Sequence, residues 1–399
     1  MNRYIFLLSR NRNFAIISLI QLLCLFSSWF SVAGVFTLLI ELKAPVWAIS
    51  LVGAFAFIPC IILAPFNGVI IDKFSPFKLL FALLCFEAGT IFCLIFIDDL
   101  KLLWLLLILV FGRVGIAGLF FQAEMSLIAK MLSGSQLKSA NEIHSLIFSI
   151  SYTAGMGLAG IFIFYFGVYA SFMLDFCFYL IAIFLLTKLK LPNFKQNPQT
   201  KAFKMIKEGL IYIKNKSIIF HLICIHALIG ATSYDTLIAL LANYKYKEIL
   251  SVSLVIGFLN MTRALSLTAG TLILKKFINK RNLFLMFFGQ CFGICFWAFC
   301  QENFYLSLFG ILFAGFFTNI LWAYTFTILQ QTCDEEFYGR VLAYNDMAFF
   351  AVASIVSLGV GFLFEIGFSL NFITILMGLV FLFGGFYFKI LQKNFSSLR

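Results

Sequence analysis

Charge is what this chain of 399 residues has least of: 12% of it is Asp, Glu, Lys or Arg, against 62% apolar residues. Soluble domains carry about 25% charged and roughly 45–50% apolar residues, so an ordinary water-soluble domain is excluded. The apolar residues run on without the polar alternation of an outer-membrane barrel, which excludes that class as well. No Gly-x-x-x-x-Gly-Lys-Ser/Thr loop occurs, and no polar stretch is long enough for an ATPase domain, so nucleotide hydrolysis is not the expected energy source. Clustered His/Asp or Cys/His groups are missing too, which argues against a membrane-embedded enzyme. The 10 cysteines lie nearly all inside apolar runs, away from the tight loop spacing of disulfide frameworks and zinc sites, and read as packing residues. His221 and His226 stand too far round a helix from each other to ligate one metal, and His144 is isolated. No metal or other cofactor is expected. The net charge of +12 has no folded basic face behind it, so nucleic acid is not an expected partner. A cleavable leader is not evident either. The apolar run behind Arg3, Arg10 and Arg12 is too long for a signal core, and the first helix reads as a retained anchor.

What the chain has instead is length of apolar run, with a mean hydropathy of +1.02. About 20 apolar residues cross the hydrocarbon core as a helix. Such runs lie near 14–40, 46–71, 79–97, 102–125, 143–167, 168–187, 218–243, 251–274, 283–300, 304–330, 341–366 and 369–391. The break at Phe166-Gly167-Val168 is the faintest, since almost nothing polar marks it. Charge placement checks the count. With both termini on the cytoplasmic side, the inner segments hold 23 of the 29 Lys and Arg, the outer loops 4 (Lys43, Lys101, Lys245, Lys247), and Arg113 and Arg263 fall within spans. A missed span would scramble that positive-inside ratio. The fold class read from this is an all-α membrane protein of twelve transmembrane helices in two six-helix bundles, residues 1–187 and 218–399. They are joined by a basic linker at 188–217 that contains Pro192, Pro198 and eight lysines. The end of that linker, Thr200 to Lys216, has the pattern of an amphipathic helix on the inner leaflet. Six helices plus six is the architecture of a transporter built from repeats.

Local motifs narrow this further. After the second span the chain reads Gly68-Val-Ile-Ile-Asp72-Lys73, which resembles the Gly-x-x-x-Asp-Arg/Lys loop of the major facilitator superfamily. Gly68 would permit close helix approach, and Asp72 would latch the two halves through a helix N-terminus or a cytoplasmic Arg. Phe-Gly-Arg113-Val-Gly, Leu-Lys-Ser-Ala140-Asn141 and Phe172-Met-Leu-Asp175-Phe follow in order. Together with Asn11 to Phe14, Gln21 to Trp29 and Gly339-Arg340-Val341, they resemble the drug and siderophore efflux branch, which includes macrolide exporters and the enterobactin exporter. Three positions depart from that branch. Ser27-Ser28 stands where an acid usually precedes Trp29, Gly155-Met156-Gly157 lacks the usual proline, and the eighth span ends in Lys275-Lys276 without an Asp.

The resemblance implies a monomeric secondary transporter of the bacterial cytoplasmic membrane. It would export a small amphipathic molecule on the proton gradient, with the lipid bilayer as its other partner. The alternative is a dedicated siderophore, metabolite or lysolipid transporter of the same fold, with import as one of its two directions. Charges within spans point to the pathway, because each costs about 2.5–3.5 kcal/mol on insertion scales. The resemblance puts spans 1, 4, 7 and 10 around the cavity. That puts Arg113 and Asp235 on the cavity; with Glu87 and Arg263 from neighbouring spans, and Asn319, Trp322 and Trp29, they form the expected proton and substrate pathway, with Gly68, Asp72 and Lys73 as the cytoplasmic gating loop. Two ion pairs are expected from helix depth, Glu87 with Arg113 and Asp235 with Arg263, each mismatched by about 6 Å at 1.5 Å per residue. Asp175 is expected to be a structural residue on an outer helix.

Overall fold

A computed structural model describes residues 2–190, 202–395 and 398, and no side chains are described at 2 and 202–206. Pro192 and Pro198 therefore lie outside the described residues. Among the described residues the structure is all-helical, and twelve helices are long and apolar enough to cross a membrane. They are α1 (Arg12–Glu41), α2 (Val46–Lys73), α3 (Pro76–Leu94), α4 (Leu100–Met131), α5 (Gly134–Phe166), α6 (Val168–Leu186), α7 (Ser217–Tyr246), α8 (Val252–Leu274), α9 (Leu283–Cys300), α10 (Phe304–Thr332), α11 (Glu335–Glu365) and α12 (Leu370–Asn394). Every expected span is present, and the main differences are extra turns at the starts of α5 and α11 and at the end of α4. Polar residues such as Glu142 and Lys130 extend these helices beyond the apolar run, which hydropathy alone does not register. The faint break between the fifth and sixth spans is made by Gly167, whose φ of 84° suits a residue without a Cβ. Asn11 caps α1 by accepting from the Phe14 N–H at 3.0 Å, and Asn303 caps α10 by accepting from Tyr305 and Leu306.

Three spans are interrupted. α2 turns at Ala56-Phe57, just before Pro59, whose missing N–H and ring prevent a continuous helix there. α7 is α-helical over Ser217–Ala227, narrows to a 3₁₀ turn over Leu228–Thr232, and restarts at Asp235. α10 breaks at Phe317.

The chain forms two compact units, one of residues 1–44 and 63–202 and the other of 45–62 and 203–399. The expected division by chain order puts 45–62 with the first half, whereas packing puts it with the second. In the first unit α1 lies against α5 and α6, and α3 against α4 and α6. Gly155 permits the α1–α5 approach, since a Cβ there would meet Trp29 Cδ1 at 2.8 Å. In the second unit α9 packs on α10 and α12, α8 on α10, and the first half of α2 on α11. Gly270 of α8 lies directly on the Phe316 carbonyl, a contact no other residue type would allow. The Trp47 N–H donates to Glu365 Oε1 at 3.0 Å, fixing the start of α2 to the end of α11.

Candidate functional site

The site in the first unit is built on three uninterrupted stretches of helix. Arg113 is in the middle of α4, Glu87 is about three turns into α3, and Asp175 and Tyr179 are one turn apart on α6, so both face the same neighbour. All four are buried, and Asp175 is 0% exposed. Arg113 Nη2 donates to Asp175 Oδ2 at 2.7 Å, while its Nε lies 3.9 Å from Glu87 Oε2. The Tyr179 hydroxyl donates to the same Glu87 oxygen at 2.5 Å, and its ring faces the guanidinium at 6.0 Å. From α1, the Ser31 hydroxyl donates to Asp175 Oδ2. Asp175 Oδ1 and Arg113 Nε have no hydrogen-bond partner among the described residues. With every group ionised, two carboxylates face one guanidinium and the cluster carries one net negative charge. Removing such groups from water costs several kcal/mol per ion unless charges and hydrogen bonds balance. A single proton brings this cluster to neutrality.

The second unit holds a different arrangement at the break in α7. Arg263 of α8 donates from Nη2 to the Thr232 carbonyl at 2.8 Å, a carbonyl that the change of helix type leaves open to a side-chain donor. Its Nη1 lies 3.9 Å from Asp235 Oδ1, and its guanidinium stacks over the Tyr234 ring at 4.8 Å. Tyr234 is fully buried and accepts from Gln290 Nε2 at 3.4 Å. Gln290 also donates to the Ala314 carbonyl at 2.6 Å and accepts from Thr318 at 3.1 Å, which ties α9 to the broken part of α10. The Asp235 side chain keeps 26% of its surface exposed, against 0% for Asp175.

The other expected pathway residues fall in separate places. Asn319 donates to Thr271 Oγ1 at 2.7 Å on an exposed face of α10. One turn further on, Trp322 stacks on Phe326 with centroids 5.1 Å apart, and His226 tilts against both rings. Trp29 lies on Tyr152 at 4.4 Å, with its indole N–H buried and unpartnered among the described residues. The two α7 histidines bond to different helices, His221 to Tyr387 at 2.6 Å and His226 to Thr325 at 2.8 Å. At the end of α2, Lys73 lies over the Phe74 ring at 5.7 Å. Asp72 forms no ion pair among the described residues. A Cβ on Gly68 would meet nothing within 4 Å, so the close helix approach expected there is not made.

The expected pair of Arg113 with Glu87 is present at 3.9 Å, and Asp175 adds a shorter one at 2.7 Å, because the depth mismatch between α3 and α4 leaves Glu87 at the edge of reach. Asp175, Ser31 and Tyr179 are the members of this cluster missing from the expected pathway. The four-residue spacing of Asp175 and Tyr179 on α6, matched by Ser27 and Ser31 on α1, was the available signal. Thr232 carries no such signal, because its part is played by the backbone.

The profile of the Major Facilitator Superfamily matches residues 17–357. The chain belongs to the major facilitator superfamily, a family of secondary transporters. Solved structures agree on the fold. This chain is similar to a mutant of the nucleoside transporter NupG, with a TM-score of 0.73, 13% identity, and coverage of 95% of this chain and 98% of that one. It is similar to the POT family transporter PepTSo, with a TM-score of 0.73, 10% identity, and coverage of 96% and 98%. A D-xylose–proton symporter matches with a TM-score of 0.72, 16% identity, and coverage of 96% and 97%. No curated protein sequence matches this chain. In this superfamily member the Arg113 cluster and the α7 joint are two places where opposite charges meet inside the membrane-spanning helices.

Proposed function

We propose that this major facilitator is a proton-coupled transporter that exports a small amphipathic molecule by alternating access. The observation that supports coupling is the Arg113–Asp175–Glu87 cluster, one proton short of neutrality and enclosed by α1, α3, α4 and α6. Proton arrival would release part of the hold between Arg113 and a carboxylate, and proton loss would restore it. That gives two states of the same helices, which is what a coupling device needs. The break in α7 supplies the second requirement, a joint at which a span changes helix type beside a charged pair. Export rests on the motif resemblance between Asn11 and Leu186. The aromatic shelf of Trp322 and Phe326, with the amide of Asn319 one turn away, suits cargo that is part apolar and part polar.

Two measurements test this. Comparing metabolites inside and outside wild-type and deletion cells should show a small molecule retained inside the deletion strain. Failed uptake of an external compound would overturn export. In proteoliposomes carrying that molecule, an imposed pH gradient should drive flux through the wild-type chain. Asp175→Asn should abolish gradient-driven flux while sparing exchange. Full gradient-driven flux in both Asp175→Asn and Glu87→Gln would overturn the proton reading.

A further inference from the structure

The helix Ala202–Asn215 stands directly before α7 and is joined to it by the single non-helical residue Lys216 (φ −111°, ψ 86°). One of its faces is docked on Asp334, in the link between α10 and α11, and on the first turns of α11. Tyr212 stacks on Phe337 with centroids 4.2 Å apart and planes 7° from parallel, and its hydroxyl accepts from the Asp334 N–H at 2.9 Å. Glu208 pairs with Arg340 at 3.2 Å, and Lys216 with Asp334 at 2.5 Å. Gly209 permits this approach, since a Cβ there would lie 3.0 Å from Arg340 Cβ and 3.1 Å from Tyr344. The helix is held by stacking, two ion pairs and a backbone bond, so its opposite face has a fixed direction.

That opposite face is Lys207, Leu210, Ile211 and Lys214, which helical spacing gathers within about one third of the circumference. Leu210 is 51% and Ile211 49% exposed, and both lysines are exposed. Two large apolar side chains between lysines on an outward face is the composition of a helix lying in a bilayer interface. The apolar pair enters the acyl boundary, and the lysine stems run along it toward the headgroups. Covalent continuity supports this placement, because Ser217, two residues beyond the helix end, already begins a membrane span. The lysines select the partner by charge.

We propose that the outward face of helix Ala202–Asn215 binds the anionic phospholipid surface of the leaflet at which α7 begins, clamping the start of α11 to that surface through Tyr212, Glu208 and Lys216. The inference is independent of what the protein transports and of its coupling ion. It makes the Arg340 end of α11 a point at which lipid charge acts on the second unit.

The test uses the full-length chain in nanodiscs that contain phosphatidylcholine with or without phosphatidylglycerol. Leu210→Trp adds an indole to the face, and its emission is read as the difference from the wild-type chain. Brominated phosphatidylglycerol should quench the added emission more strongly than brominated phosphatidylcholine at equal mole fraction. Adding Lys207→Glu and Lys214→Glu should remove the preference, by about fivefold for each lysine reversed. Free inorganic phosphate should not compete, which separates a headgroup surface from a soluble anion site. An added indole that emits as if in water and is quenched by neither lipid would overturn the proposal. So would equal quenching by both lipids, or competition by phosphate. Ile211→Trp provides a second probe of the same face should Leu210→Trp disturb the docked helix.

Discussion

Arg113, buried, and Arg263, partly buried, lie mid-span in different compact units, and they are satisfied by different means. Arg113 is gripped by side chains from unbroken helices, with Asp175 at 2.7 Å, Glu87 at 3.9 Å and the Tyr179 ring behind. Arg263 takes its short contact from the backbone, the Thr232 carbonyl at 2.8 Å, and holds the Asp235 carboxylate at 3.9 Å. In both units the pair expected from helix depth is the 3.9 Å one, because a long guanidinium stem makes up part of a depth mismatch but not all of it. The short contact goes to whatever lies level with the head group. In the first unit that is a second carboxylate, which leaves excess negative charge and a place for a proton. In the second it is a carbonyl freed by a broken helix, which ties Arg263 to a joint.

The comparison breaks most readily at Arg113. Arg113→Ala leaves two carboxylates without their cation and should cost about 3–5 kcal/mol, read as lost folded protein or a lowered unfolding midpoint in detergent. Retention of normal stability would mean that the carboxylates are already neutral. Arg263→Ala strands one carbonyl and one partly exposed acid, so a loss of about 1–3 kcal/mol is expected, with flux impaired more than folding. The neutral variants sharpen the contrast. Asp175→Asn should leave stability near or above wild type, because it removes the excess negative charge, yet flatten the pH profile of transport. Asp235→Asn, acting on a 3.9 Å pair with exposed surface, should cost about 0–1 kcal/mol. Equal pH profiles for these two variants would erase the distinction between a proton store and a joint.

The smallest expected effect lies outside the membrane. Hydrogen bonding to Lys216 holds the Asp334 carboxyl below its ordinary range. A depressed native value means that the pair favours the folded state above the usual carboxylate range, near pH 4, and stops doing so as pH falls through that native value. Asp334→Asn should therefore lower the unfolding midpoint slightly at neutral pH and have no effect in strong acid. An undiminished effect in acid would show that it arises from packing.

How much of this was legible in the sequence depended on the kind of signal. Twelve spans could be read because crossing a bilayer needs long apolar helices whose backbone bonds are all internal, a requirement that each segment meets alone. The acids and arginines inside those spans could be read for the same reason, since each stands out against an apolar run. Gly155 on Trp29, Asp175 on Arg113, and residues 45–62 packing with the second unit could not, because those are contacts between segments far apart in the chain. The sequence by itself determined which segments enter the membrane and which charges they take with them. Tertiary structure alone decided which charges meet, because partners are set by how helices lie against one another. The same holds for the α7 break, whose donor and acceptor geometry depends on α8 and α9 and on no local motif.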